Sequence, residues 1–297
     1  LQVKLKNFFP KIKEKVIFKD QKIELEYRKD NLSIVGVGEV LLQNEIDKIN
    51  YKIFKKKNEV KFNTSLVISK NLFKIDILNY SKNKNSDLEL NFQGKKDIKE
   101  KLIFNKISLK ENNNIISINN LILSDDKKIN DLGTTNIEYI DKENFKNNLQ
   151  IKKKDKHYLI SGNSFNIDNL IDKILDSDND QKLDFFNVNL KFIFFVKKIY
   201  LDKTNVINNL NGSLFFSNNE VSELNLEAKF PNQKNIKLSI KNNGDEKITT
   251  LFSHVAKPLV DRYKFISGFE EGDLDFYSTK KNGITKSTLK VDDFKIQ

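Results

Sequence analysis

FNVNLKFIFFV, residues Phe186–Val196, decides the fold class. Phe186, Val188, Leu190, Phe192, Phe194 and Val196 occupy every second position. A strand sends successive side chains to opposite faces, so these six line one face, whereas a helix would scatter them around its axis. Ile193 and Phe195 make the second face apolar as well near the end of the run.

The same period recurs on both sides. Downstream come Leu224, Leu226, Ala228 and Phe230, then Ile236, Leu238 and Ile240. Leu274 and Phe276 alternate with Asp273, Asp275 and Tyr277, and Leu289 and Val291 with Lys290 and Asp292. Upstream, Val60, Phe62, Thr64, Leu66 and Ile68 form one run, and Leu88, Leu90 and Phe92 another. The intervening positions are mostly Lys, Asn, Asp, Glu or Ser, as in strands with one wetted face. Turn signals such as SKNKNSD, KENNN, KNNGDE and KKNG separate the runs. The short spacing favours antiparallel meanders over βαβ units. The expected fold is mainly β: a long, antiparallel, curved sheet of about twenty strands, a repeating groove with two short covering helices.

The helices are predicted near residues 164–178 and 252–265. In SFNIDNLIDKILDSD, Ile167, Leu170, Ile171, Ile174 and Leu175 have helical spacing, and Ser164 or Asn166 suits the cap. In FSHVAKPLVDRYKF, Val255, Leu259, Val260 and Tyr263 form the stripe, with Pro258 in the first turn. A boundary near Lys152–Asp155 divides the chain into a β segment, residues 1–155, and a second, residues 156–297. The sequence contains no Met, and we expect it to be an internal piece of a longer protein.

The absence of Cys excludes disulfides, thiolate catalysis and Cys-based metal sites. No run approaches the roughly 18 apolar residues of a membrane-spanning helix. The net charge of +11 first suggests nucleic acid. Yet only Arg28 and Arg262 among the 52 basic residues carry the guanidinium fork that reads phosphate and guanine. The Lys are interleaved with acids along the whole chain, beside about forty Asn and many Ile. That trio is what an AT-rich genome encodes, and no nucleic acid is expected as partner.

No catalytic constellation emerges. His157 and His254 lie in no nucleophile motif. VGVGEV lacks the third Gly and following helix of a dinucleotide loop, and reads as a strand with a Gly bulge. DSDND opens like a calcium loop, but Gln181 and Asn187 stand where Gly and Glu are needed. In EEGDLD, Asp273 and Asp275 share the polar side of a strand. The chain is expected to be no enzyme and to need no cofactor or metal. What remains is apolar surface: a buried sandwich core or an open groove for hydrocarbon. Period alone leaves both open.

From Ser161 onward the order of phrases resembles the AsmA-like superfamily of bacterial envelope proteins, specifically the C-terminal region of the YhdP type. SGNSFNIDNLIDKIL matches the small polar–Phe phrase that begins a short helix, and VNLKFIFFVKKIYL the hydrophobic strand that follows. INNLNGSLFFSNNEVSELNLEAKF matches the paired strands. The helix, glycine-bearing corner and final strand pair correspond to LFSHVAKPLVDRYKFISGFEEGDLDF and LKVDDFKI. The resemblance implies a groove related in architecture to TamB and to bridge-like lipid transfer proteins. It implies glycerophospholipid acyl chains as partners, movement between inner and outer membranes, a periplasmic location and an inner-membrane anchor outside this segment. The candidate lining is Phe186, Val188, Leu190, Phe192 and Phe194; Leu224, Leu226 and Phe230; Ile236, Leu238 and Ile240; and Leu274 and Phe276. The alternatives are a structural or adhesion-type β protein with a closed core and a Lys-rich nucleic-acid-binding module.

Overall fold

The computed structural model describes residues 6, 8–96, 101–170, 188–217, 220–263 and 269–296. The chain is mainly β, and eighteen strands belong to one mixed sheet that does not close into a barrel. It divides into two compact units, Leu1–Ile151 and Lys152–Gln297, close to the boundary the charged Lys152–Asp155 run predicts.

In the first unit, β1 (Ile17–Arg28), β2 (Asn31–Leu41), β3 (Asp47–Lys56) and β4 (Glu59–Ile68) form consecutive antiparallel hairpins. The chain then leaves the sheet for a small ribbon, β5 (Lys74–Ile75) and β6 (Tyr80–Ser81), flanking a 3₁₀ turn at Asp76–Leu78. It returns through β7 (Leu88–Lys96), β8 (Leu102–Glu111) and β9 (Asn114–Leu123). β10 (Ile129–Asp131) and β11 (Thr134–Ile140) both pair with β9, and β12 (Lys146–Lys154) pairs with β11.

The second unit runs from β13 (His157–Asn166) through β14 (Leu190–Tyr200), β15 (Val206–Ser217), β16 (Glu220–Lys229), β17 (Asn235–Asn242) and β18 (Glu246–Ser253). A short helix, α1 (Lys257–Tyr263), precedes the long hairpin β19 (Phe269–Lys281) and β20 (Ile284–Ile296). Pairing is antiparallel from β14 to β20.

One pair departs from the antiparallel expectation: β13 and β14 are parallel, with Tyr158 opposite Phe192 and Phe165 opposite Ile199. Parallel neighbours need a crossover of a dozen or more residues, and residues 167–189 supply it. The predicted helix at 164–178 therefore starts later. Ser164–Asn166 finish β13, Asn166 Oδ1 accepts the Asp168 amide at 3.0 Å, and residues 168–170 are helical. Its remainder lies outside the described residues. The second predicted helix is also shorter: Phe252 and Ser253 stay in β18, because their backbones pair with β17 and β19. Pro258 sits in the first turn of α1, where no amide is needed.

The bulge expected in VGVGEV belongs to the neighbouring strand. β2 continues through both glycines, and the extra residue lies in β1 between Lys19 and Lys22. There Gln21 Nε2 donates to the carbonyls of Lys19 and Glu39, filling the space a side chain at Gly38 would need.

Candidate functional site

Residues paired directly across a ladder share a face of the sheet. In the second unit this aligns the apolar positions into three transverse rows. The first joins Tyr158, Phe192, Leu214, Leu224 and Ile240. The second runs the full width: Ile160, Phe194, Gly212, Leu226, Leu238, Leu251, Phe276 and Leu289. The third includes Val196, Ile236, Ser253, Leu274 and Val291. The reverse face carries Lys191, Glu223, Asn225, Lys237, Asp275 and Lys290, all exposed.

Burial along these rows bears on whether the face is covered. In the first and third, Phe192, Leu224, Ile240, Val196 and Leu274 are buried. In the middle row, Leu251 is buried, but Ile160, Phe194, Leu226, Leu238 and Phe276 are only half-buried and Leu289 is exposed. A second layer pressed onto the face would make its middle row the most buried; instead only Leu251 among its seven apolar side chains is buried. α1 shields one end of the strands, where Ala256, Leu259 and Val260 pack beside Phe269 and Leu274. Arg262 ties α1 to the start of the crossover, donating to the Asp168 carboxylate at 2.5 Å and to its carbonyl at 2.6 Å.

Ten of the candidate lining positions fall on this face: Leu190, opposite Phe216, together with Phe192, Phe194, Leu224, Leu226, Ile236, Leu238, Ile240, Leu274 and Phe276. Phe230 is buried in the turn after β16. Val188 is 40% exposed and precedes β14, so it does not join the lining. Phe186 lies outside the described residues. Sequence reasoning missed Tyr158, Ile160, Leu214 and Leu251. HYLI does alternate, but Gly212 and the flanking Asn residues interrupt the period in β15.

The first unit has an equivalent face with no candidate assigned to it. Ile49, Leu66, Leu90, Leu109, Ile116, Ile137 and Leu149 form a row in which all but Ile49 are buried. Burial then falls toward Ile34, Ile53, Phe62 and Phe104, which are half-buried, and toward Leu25 on β1, 66% exposed. The deep end is capped by the excursion between β4 and β7. Phe73 and Tyr80 are buried there, Tyr80 meets Tyr139 edge-on at 5.7 Å, and the Tyr139 hydroxyl donates to the Leu78 carbonyl.

This cap is built on buried polar groups. Glu111, 2% exposed, accepts from the Tyr80 hydroxyl at 2.5 Å, the Asn83 amide at 2.6 Å and the Ser86 hydroxyl. Burial, and then the Glu111 carboxylate, raise the Tyr80 pKa and keep the phenol protonated. Lys82 Nζ donates to the carbonyls of Ser69 and Asn83, and burial lowers its pKa. Asp47 is pushed up to about 6, chiefly by burial, although the Asn71 amide donates to it. A cleft of about 410 Å³ beside the cap is lined by Lys19, Leu41, Ile46 and Lys70 among others, off the apolar rows.

His254 Nδ1 lies 3.1 Å from Asp273, but the adjacent Ser253 hydroxyl donates to the Val255 carbonyl and is fully buried. Among the described residues, no three His, Cys, Asp or Glu side chains gather as a metal site, and no helix is long and apolar enough to cross a membrane. No family model, curated protein or solved structure matches the chain.

Proposed function

We propose that the chain is a non-catalytic β groove whose apolar rows bind, and pass along, the acyl chains of glycerophospholipids. The observation that carries this reading is the middle row of the second unit, apolar in every strand but β15, half-buried or exposed at every apolar position but Leu251, and flanked by rows that are mostly buried. Each methylene removed from water is worth about 0.8 kcal/mol, so a hydrocarbon chain lying along that row and the row itself both gain. Dispersion and hydrophobic contacts are non-directional, so they let a tail slide between equivalent positions. An AsmA-like role in the envelope, between inner and outer membranes, with an anchor outside this segment, fits such a trough.

The test is lipid occupancy. Purified protein is expected to carry phospholipid detectable by native mass spectrometry. Phe194→Glu with Leu238→Glu should remove it while the far-ultraviolet circular dichroism stays strand-like, because both positions are half-buried. Buried Leu190 and Phe192 are unsuitable for this experiment, since a charge there would unfold the unit whatever it binds. Wild-type protein that emerges free of lipid, and takes up none from vesicles, would end the proposal and favour a structural β protein.

A further inference from the structure

The two ends of the first unit differ in charge. The ladder from Arg28 and Asn31 through Lys56 and Glu59, Val60 and Lys96, and on to Leu102 and Leu123 brings four turns to one end. Segments 26–31, 55–61, 95–96 with 101–102, and 124–128 carry eleven Lys and Arg against five acids. The sequence between 96 and 101 adds one Lys and two acids. At the opposite end, segments 8–16, 42–47, 69–87, 111–113 and 141–146 carry nine against eight.

Backbone geometry separates the ends independently. Turns at the balanced end place Asn79, Asn112 and Asn144 at positive φ, as expected of a residue that tolerates the left-handed region. Turns at the basic end place Lys29, Lys57 and Lys127 there, with φ of 42°, 51° and 65°. Lysine gains nothing from that conformation, so its presence is not explained by folding of the turn. Lys29, Lys55, Lys56, Lys57 and Lys127 have no ion-pair partner among the described residues.

The last row of the apolar face reaches the same end. Tyr27, Leu32, Lys55, Val60, Lys96 and Leu102 lie side by side across it. Tyr27, Leu25 and Ile23 on β1 are each more than half exposed. Lysines between aliphatic side chains with a tyrosine at the rim match the boundary where phosphate headgroups meet hydrocarbon. A nucleic acid would find the exposed aliphatics a poor surface.

We propose that this lysine-tipped end of the first unit docks on an anionic membrane surface and turns the mouth of the apolar face toward the bilayer. The proposal rests on the lipid-groove reading but concerns a different surface. Each lysine near an anionic bilayer strengthens binding about fivefold.

The test compares sedimentation of the full chain with vesicles of phosphatidylcholine alone and of phosphatidylcholine mixed with phosphatidylglycerol. Wild type should bind only the mixture and be released by salt. The triple variant Lys29→Asn, Lys57→Asn, Lys127→Asn relieves the turns while removing charge. It should remain folded, retain any co-purified phospholipid, and lose roughly a hundredfold in vesicle affinity. Lys70→Asn, Lys84→Asn, Lys142→Asn, at the other end, should leave affinity nearly unchanged. Equal losses from the two triples, equal binding to both vesicle types, or tighter salt-sensitive binding to an oligonucleotide through the same lysines would each overturn the proposal. Intact docking by a protein that carries no lipid would instead overturn the groove alone.

Discussion

The two units shield one end of an apolar sheet face with opposite chemistry. In the second, α1 brings Leu259 and Val260, with Ala256 just before it, and Arg262 adds a polar tie to Asp168 that is itself partly solvated. In the first, a ribbon and 3₁₀ turn bring aromatic rings held by buried Glu111, Lys82, Asn71 and Asp47. A helix, even a short one, closes part of its own backbone hydrogen bonding and offers an apolar stripe to the sheet. An irregular excursion has more amides and carbonyls to satisfy, and the side chains of Glu111 and Lys82 supply partners that no ladder can. The first cap should therefore be the more sensitive to single substitutions and to pH.

Three measurements separate the caps. The largest effect is expected for Glu111→Leu, which leaves the Tyr80 hydroxyl, the Asn83 amide and the Ser86 hydroxyl without their acceptor. Urea unfolding should show a loss of about 3–5 kcal/mol, with Tyr80 fluorescence reporting a loosened cap. Unchanged stability would mean that water replaces the carboxylate and the cap is wetter than described.

Next comes pH. Asp47 titrates at about 6 in the folded chain against a reference of 3.8, so the folded state holds its proton more tightly. The associated stability is present in full below the unfolded value and is lost as pH rises toward 6. Asp47→Asn should flatten that part of the stability–pH profile and raise stability at neutral pH by up to about 3 kcal/mol. A wild-type profile parallel to the variant's between pH 4 and 6 would refute the assignment. The smallest effect is expected for Arg262→Ala, about 2 kcal/mol. Its signature is faster hydrogen exchange in α1 with the first unit unaffected; a change confined to the first unit would contradict the division.

Much of this architecture was legible because alternation is a direct consequence of strand geometry. Runs such as Leu224–Phe230 and Ile236–Ile240 name both their strand and its buried side. Direction is another matter. Alternation is the same whichever way a neighbour runs, so nothing in HYLISGNSF or NLKFIFFV announced that β13 and β14 are parallel. The first cap was illegible for a different reason. Ile75 and Ile77 look like more alternation, and Glu111, Lys82 and Asp47 are residue types that usually face water. Only the fold brings their partners within reach. Of the candidate site, the second unit's face was read largely from its own strands, whereas Val188 failed because the period begins before the strand does. The first unit's face went unassigned because its rows appear only when seven strands are set in register.

The parallel junction of β13 and β14 also bears on how the molecule is assembled. A hairpin zips as soon as its second strand leaves the ribosome, since the two edges are already tethered by a few residues. β14 can find β15 in this way, yet it cannot meet β13 until the 23 residues from 167 to 189 have looped back. Closing that loop costs chain entropy before any pairing repays it. The downstream meander should thus be in place first, and β13 should join it as the late step of maturation.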